Sequence, residues 1–87
     1  MFELRHYTLV FSEAAADFVL ALPLRRRRKV RALAGCLASD PFLRSDYVVS
    51  DDSGRQIDHL LIEDFVFAYW IDHGALEIRI VDIEDAS

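Results

Sequence analysis

The sequence predicts a small α+β domain in which a helix hairpin packs on a mainly antiparallel sheet, in the order β-α-α-β-β-β-β. The first half of the 87-residue chain has two segments with helical apolar spacing, separated by Pro23. The second half has four runs rich in β-branched and aromatic residues, separated by short polar turns. A chain of this length supports one hydrophobic core, so we expect residues 1–87 to form a single domain.

The first half is predicted to contain one strand and two helices. Phe2–Phe11 has the apolar and β-branched composition of a strand, and Ser12 is a suitable N-cap for the helix after it. Pro23 ends that helix, and the second helix is expected from Leu24 to Ala38, before Asp40-Pro41. The apolar stripes of the two helices are Ala15, Phe18, Val19 and Leu22, and then Val30, Leu33, Ala34 and Leu37.

The second half is predicted to be a four-stranded meander. Strands are expected at Tyr47–Ser50, Arg55–Ile62 and Phe65–Ile71, and a last strand begins near Leu76. Gly54 suits a left-handed turn residue, and Glu63-Asp64 is a connection of two residues or slightly more. In the last strand, Val81 breaks the alternation of apolar and polar residues.

Four single positions carry further expectations. Gly35 inside a helix indicates close packing, and Cys36 is expected to be a small core residue. Phe65–Ile71 is apolar on both faces, so it should be the central strand, with Trp70 buried and Tyr69 facing the other side. Trp70 and Tyr69 could instead stack on a nucleic-acid base. The acidic C-terminal segment 82–87 is expected to fray.

Composition excludes several classes of protein. The hydrophobic fraction of 53% is too high for a disordered chain, and no apolar run reaches the ~18 residues of a membrane span. The single cysteine, Cys36, excludes an internal disulfide framework and a cysteine-based zinc site. No secretory signal peptide is visible, so we expect a soluble cytoplasmic protein without a membrane partner, metal or cofactor.

The net charge of −5 is divided unevenly along the chain. Residues 1–44 contain eight basic and four acidic residues, whereas residues 45–87 contain two basic and eleven acidic residues. Most of the positive charge lies in the second helix, at Arg25, Arg26, Arg27, Arg28, Lys29 and Arg31. This segment could bind RNA or an acidic protein partner, or could be a solvated surface. The acidic balance weighs against nucleic acid as the main partner.

An ordered set of short motifs resembles the RelE/ParE superfamily, the toxin components of bacterial type II toxin–antitoxin modules. The set comprises Phe11-Ser12, Leu22-Pro23, Leu37 before Asp40-Pro41, Gly54-Arg55, Tyr69-Trp70-Ile71-Asp72 and Glu77-Ile78-Arg79-Ile80. The resemblance covers nearly the whole chain. It implies a cytoplasmic toxin whose target is the translation machinery or gyrase, held by a cognate antitoxin that lays a helix or a strand over it.

The RNA-cleaving members of that family place basic residues on the sheet face and near the C-terminus. Cleavage by a 2′-hydroxyl needs a base for its proton and cations for the developing charge. Here the candidates are His59 as base, with Arg55 and Arg79 as cations. However, Val66 stands where the family commonly has arginine, and the terminus contains Asp82, Glu84 and Asp85. The sequence therefore favours a toxin that acts by binding.

Two other functions stay open: a RelE-type endoribonuclease (mRNA interferase), and a non-toxic homodimeric interaction domain of the same fold. His6, His59 and His73 could also form a metal or acid–base set. Asp58 and His59 cannot form a simple dyad, because neighbouring strand residues face opposite ways. His73 is expected in an exposed turn. Since the strand Phe65–Ile71 is apolar on both faces, we also expect the isolated protein to self-associate.

Overall fold

The computed structural model describes residues 7–87 and has the predicted order of two helices and five strands. The elements are β1 Thr8–Phe11, α1 Glu13–Ala21, α2 Leu24–Ser39, β2 Tyr47–Ser50, β3 Gln56–Ile62, β4 Phe65–Asp72 and β5 Glu77–Asp85. The first predicted strand is confirmed at Thr8–Phe11; residues 1–6, including His6, lie outside the described residues. None of the helices in the described part is long and apolar enough to cross a membrane.

The five strands form one mixed sheet in the order β1-β5-β4-β3-β2. Strands β2 to β5 form an antiparallel meander, and β1 pairs in parallel with β5. Strand β4 is therefore central, as its sequence predicts. The sheet has two edges, β1 at one side and β2 at the other.

Both helices start where the sequence predicts. The Ser12 hydroxyl accepts a hydrogen bond from the Ala15 amide at 3.1 Å and donates one to the Val81 carbonyl at 2.7 Å. This caps α1 and ties its first turn to β5. Pro23 separates the helices, and the predicted apolar stripe of α2 is buried: Val30, Leu33, Ala34 and Leu37.

The hydrophobic core lies on one side of the sheet, beneath the helix hairpin. Its largest fully buried side chains include Phe65 and Phe67 of β4 and Ile78 and Ile80 of β5. The Phe18 ring of α1 meets Phe65 edge to face, with centroids 6.3 Å apart. Neither helix of residues 7–87 covers the opposite side of the sheet, and we call it the open face.

A β-bulge explains the irregular alternation near Val81. Ala68 pairs with Asp82, but the next residue, Tyr69, pairs with Ile80, which leaves Val81 without a partner in β4. Because of this extra residue, the Ile83 side chain points toward the core on the helix side, where it is 2% exposed.

The turns agree with the sequence in their positions. Gly54 has φ 85°, in the left-handed region that glycine adopts freely. The connection between β3 and β4 has only two residues, and Glu63 adopts φ 54° within it. Tight hairpins require such positive φ values, so here a non-glycine residue supplies the conformation.

Three sequence predictions about α2 and the C-terminal segment are wrong. A Cβ added at Gly35 would meet nothing within 4 Å, so this glycine does not mark close packing. Cys36 is exposed rather than buried, because it lies beside the buried stripe of α2 and not on it. The C-terminal segment does not fray at Asp82, because β5 continues to Asp85, which pairs with Phe65.

We predict that Phe67→Ala destabilises the domain by ~3–5 kcal/mol, since it removes a fully buried ring from the centre of the core. This is most of the stability expected for a small domain. The matched control is Leu61→Ala on the open face, where the side chain is 53% exposed and the loss should be below ~1 kcal/mol. Urea unfolding followed by circular dichroism measures both, and equal losses would contradict the one-sided core.

Candidate functional site

The open face of the sheet brings two of the predicted catalytic residues to one tryptophan. The guanidinium carbon of Arg55 lies 3.9 Å from the Trp70 ring centroid, and that of Arg79 lies 5.6 Å from it. Trp70 and Arg79 are cross-strand neighbours in β4 and β5. Both cations are therefore within cation–π range of one ring.

This cluster lines a cleft of about 200 Å³, which we call the cationic cleft. Its other walls come from the end of β1 and from the bulged part of β5. The lining residues are Val10, Phe11, Ser12, Arg55, Trp70, Arg79, Ile80 and Val81. The bulge at Val81 and the start of α1 thus shape the same cleft that the arginines enter.

Arg79 is only partly neutralised inside the protein. Its Nη2 atom lies 2.9 Å from a Glu77 carboxylate oxygen, in a partly exposed ion pair. Its Nε atom is buried and has no hydrogen-bond partner among the described residues. The Arg79 side chain is 43% exposed, so its guanidinium can also donate hydrogen bonds to an anion in the cleft, where the Glu77 carboxylate competes for it.

His59, the predicted base, faces the same side of the sheet. It pairs with Ala68, two residues before Trp70 in β4, and its ring stacks on Tyr47 at 4.6 Å. Its Nδ1 atom lies 3.1 Å from the Ile57 carbonyl. A carbonyl only accepts hydrogen bonds, so Nδ1 is the donor in this contact, and in the neutral form of the ring Nε2 is then the acceptor.

The predicted separation of His59 from Asp58 is confirmed. Asp58 faces the helix side, where its carboxylate accepts a hydrogen bond from Ser45 at 2.8 Å. His73 is exposed, as expected, and its Nδ1 lies 2.8 Å from the Tyr7 hydroxyl. Within residues 7–87, no group of three His, Cys, Asp or Glu side chains is placed to hold a metal ion.

Acidic residues occupy the other end of the open face. Val66 and Ala68 of β4 are opposite Glu84 and Asp82 of β5, and both acids are exposed. An RNA strand that extended from the cationic cleft along β4 would meet these carboxylates, which repel phosphate.

Trp70 and Tyr69 point to opposite sides of the sheet, as predicted, but the prediction that Trp70 is the buried one is wrong. The two side chains do face opposite sides, but Tyr69 is the buried one, at 2% exposure on the helix side. Trp70 is half-buried on the open face. Tyr69 therefore cannot stack on a base, whereas Trp70 lies where a ligand can reach it.

The cations of α2 fall into two groups. Arg26 pairs with Asp85 at 2.9 Å, and Lys29 lies 3.3 Å from Glu63. Hydrogen bonds from Ser87, together with the contact from Arg26, lower the pKa of Asp85 to about 2. Arg27 donates to the carbonyls of Leu20 and Leu22, which end α1.

The other group is free for an external partner. Its members are exposed and form no ion pair with another residue in the range 7–87: Arg25, Arg28 and Arg31. The predicted partner-binding set therefore divides, with Arg26 and Lys29 already engaged within the domain.

Arg31 also borders an apolar groove of about 290 Å³. The groove is lined by Phe11, Ala16, Val19, Leu20 and Arg31, from β1, α1 and α2. Leu20 is 64% exposed here, and sequence analysis did not identify it. The sequence does contain a signal for this groove: Leu20 is a large apolar residue that lies outside the apolar stripe of α1, where a polar residue is expected.

No family model and no curated protein sequence matches this chain. Solved structures do match. A chain of the toxin–antitoxin complex RelBE2 from Mycobacterium tuberculosis has 22% identity and a TM-score of 0.77, with 98% of each chain covered. The archaeal RelE–RelB complex from Pyrococcus horikoshii has 13% identity and a TM-score of 0.70, covering 95% of this chain and 98% of its match.

The isolated E. coli RelE toxin has 12% identity and a TM-score of 0.70, covering 93% of this chain and 85% of the toxin. The chain has a RelE-like fold. The resemblance drawn from its motifs is thus confirmed at the level of the fold. In this RelE-like fold, the cationic cleft lies on the open face, and the apolar groove lies beside the helix hairpin.

We predict that Tyr69 makes the domain unstable in alkali. Burial, with smaller effects from Asp58 and Asp46, raises the pKa of Tyr69 to about 12. Because the unfolded chain loses the phenolic proton nearer pH 10, stability is intact below pH 10 and falls between about pH 10 and pH 12. Tyr69→Phe should reduce this loss, as measured by urea unfolding across the range. Tyr47→Phe, at a half-exposed tyrosine, is the control, and an identical effect of both would disprove the assignment.

Proposed function

We propose that this chain is the toxin-like component of a type II toxin–antitoxin module, which acts by binding a cellular target and is neutralised by a cognate antitoxin. The observation that carries the proposal is the RelE-like fold, since the matching chains come from toxin–antitoxin complexes and match over almost their whole length. The target would be the translation machinery or gyrase, in the cytoplasm.

The helix side of the molecule supports an antitoxin partner of defined chemistry. The apolar groove would take the apolar face of an amphipathic segment, with Leu20 as an exposed contact. Arg25, Arg28 and Arg31 would pair with carboxylates on the same segment, because the guanidinium fork suits carboxylate geometry. The partner is therefore an acidic amphipathic chain, encoded by a small neighbouring gene.

Charge reversal on α2 tests this proposal. Arg25→Glu/Arg28→Glu/Arg31→Glu should weaken antitoxin binding by at least ~100-fold, because each free cation becomes repulsive toward the acidic partner. The melting temperature should stay within a few degrees, because these side chains are exposed. The affinity is measured by isothermal titration calorimetry with the purified product of the neighbouring gene.

The matched control is the triple lysine variant, Arg25→Lys/Arg28→Lys/Arg31→Lys. It keeps the charge and loses only the bidentate geometry, so most of the affinity should remain. Induced expression with and without the neighbouring gene then scores toxicity by growth arrest. Unchanged affinity in the glutamate variant would exclude α2 as the antitoxin site.

A second candidate function is a RelE-type endoribonuclease. It is favoured by the cationic cleft, in which Arg55 and Arg79 would hold a phosphate. His59 lies on the same face but outside the lining of the cleft, and it would accept the proton of the attacking 2′-hydroxyl. Asp82, Glu84 and Val66 on the same face weigh against it. A third candidate is a non-toxic homodimeric interaction domain.

We predict weak or no cleavage of messenger RNA, alone or on ribosomes, because the acidic half of the open face repels the substrate. Primer extension on a translated message measures cleavage. Site-specific cutting that disappears in His59→Ala and in Arg79→Ala would overturn this prediction and establish the endoribonuclease. The control is Cys36→Ala, which should leave RNA cleavage unchanged, because Cys36 is exposed on α2 and does not line the cationic cleft.

A further inference from the structure

The two arginines of the cationic cleft form a small positive region between acidic residues on the open face. Arg55 is exposed and lies over the Trp70 ring, and Arg79 approaches the same ring from the neighbouring strand. Along β5, Glu77 precedes Arg79 and Asp82 follows it after the bulge, so carboxylates lie on both sides of Arg79. A long polyanion laid along this strand would meet a carboxylate in either direction, whereas a short anion would not.

The turn before β3 fixes the backbone of Arg55. One carboxylate oxygen of Asp51 accepts hydrogen bonds from the amides of Ser53 and Arg55, each at 2.9 Å, and from the Ser53 hydroxyl at 2.6 Å. The Asp51 amide also donates to the Arg55 carbonyl at 2.8 Å. Asp51 therefore holds both polar groups of the Arg55 backbone. A side chain that is already positioned loses less conformational freedom when a ligand binds.

Arg79 contributes a donor that the domain does not use. Its Nε atom is buried and forms no hydrogen bond with another residue in the range 7–87, while its Nη2 atom contacts Glu77. Nearly all buried donors in native proteins have a partner, and a donor without one is costly. An anion bound in the cleft beside Arg79 would supply an acceptor for this guanidinium.

We propose that the cationic cleft binds the terminal phosphate of a small organic phosphate. A phosphate monoester carries about −1.5 to −2 charges at pH 7 and three strong acceptor oxygens. It can therefore accept from two guanidinium groups that come from the turn before β3 and from β5, whereas a planar carboxylate is best matched by one fork. The site is independent of the proposed toxin function.

The size of the cleft also favours a small ligand. Its volume of about 200 Å³ is below the ~300–1,000 Å³ of pockets that enclose drug-sized molecules. The cleft therefore has room for a phosphate and for part of a small group attached to it.

Ribose 5-phosphate is the test ligand, with ribose as the neutral control. Trp70 is the only tryptophan, so its indole N–H gives one nuclear magnetic resonance signal that reports on the cleft. At low ionic strength, ribose 5-phosphate should shift this signal and that of the Arg79 Nε–H with a dissociation constant of roughly 1 mM or below, from two charge-assisted contacts. Ribose should shift neither signal. The absence of a saturable shift up to ~10 mM ribose 5-phosphate would overturn the proposal.

Substitution of each arginine tests whether the ligand lies in this cleft. Arg55→Gln and Arg79→Gln should each raise the dissociation constant at least ~10-fold, because each removes a charge and a fork of donors. The matched control is Arg44→Gln, at an exposed arginine that does not line the cleft, and it should leave the affinity unchanged. Wild-type affinity in both cleft variants would reject the site.

Three variants of the turn test Asp51 as a positioning residue. Asp51→Ala should weaken binding several-fold although it removes a negative charge, because Arg55 loses its fixed backbone. Asp52→Ala removes the same charge from the same turn without removing these hydrogen bonds, so it should not weaken binding. Asp51→Asn keeps a side-chain oxygen that accepts from the amides and should recover most of the affinity. Equal effects of the two alanine variants would disprove the positioning of Arg55.

Two further ligands test the chemical class. Gluconate carries one carboxylate and should bind several-fold more weakly than ribose 5-phosphate, and equal or tighter binding would reject a phosphate site. An RNA oligonucleotide with hydroxyl groups at both ends should bind no more tightly than ribose 5-phosphate, because Glu77 and Asp82 repel its chain. Tighter binding of this RNA that disappears in Arg55→Gln would assign the cleft to internal RNA phosphates and overturn the proposal.

Discussion

A single helical layer can cover only one face of a five-stranded sheet, and the rest of this structure depends on that constraint. The helix hairpin buries Phe65 and Phe67 and leaves the opposite side of the same strand open. Trp70 on that side is only partly covered, by the side chains of Arg55 and Arg79, and it lines the cationic cleft. The stabilising face and the candidate binding face are therefore two sides of β4, held in register by the same backbone hydrogen bonds.

The basic residues of α2 fall into two groups, one engaged within the domain and one facing outward, and the sequence alone does not separate them. Arg27 satisfies the carbonyls that end α1, and Arg26 holds the last residue of β5, where its guanidinium also lies 5.0 Å from the Phe65 ring. These contacts bring the acidic C-terminal segment against the basic helix. The remaining cations, Arg25, Arg28 and Arg31, are left without an internal ion-pair partner among the described residues, and Arg31 is the one that lines the apolar groove.

The elements and their order follow from the sequence because helical and strand periodicity are local properties. The stripe from Val30 to Leu37 and the N-cap at Ser12 are examples, since each depends on residues within a few positions. The predicted burial of Trp70 is wrong because the alternation of a strand shows that neighbouring side chains point to opposite faces, but not which face the helices cover. For the same reason, the sequence does not show that Arg55 and Arg79 meet at Trp70, because this contact depends on the register between neighbouring strands. The groove at Leu20 required the packing of three elements.

The apolar groove and the cationic cleft lie on opposite sides of the sheet, so a segment bound in one does not cover the other. The groove is formed by β1 with both helices, and the cleft opens on the face that carries Trp70. Phe11 lines both of them, because the end of β1 lies where the sheet meets the start of α1. A partner held in the groove would therefore contact the strand end that also forms a wall of the cleft, while the Arg55 and Arg79 side chains stay accessible on the other side.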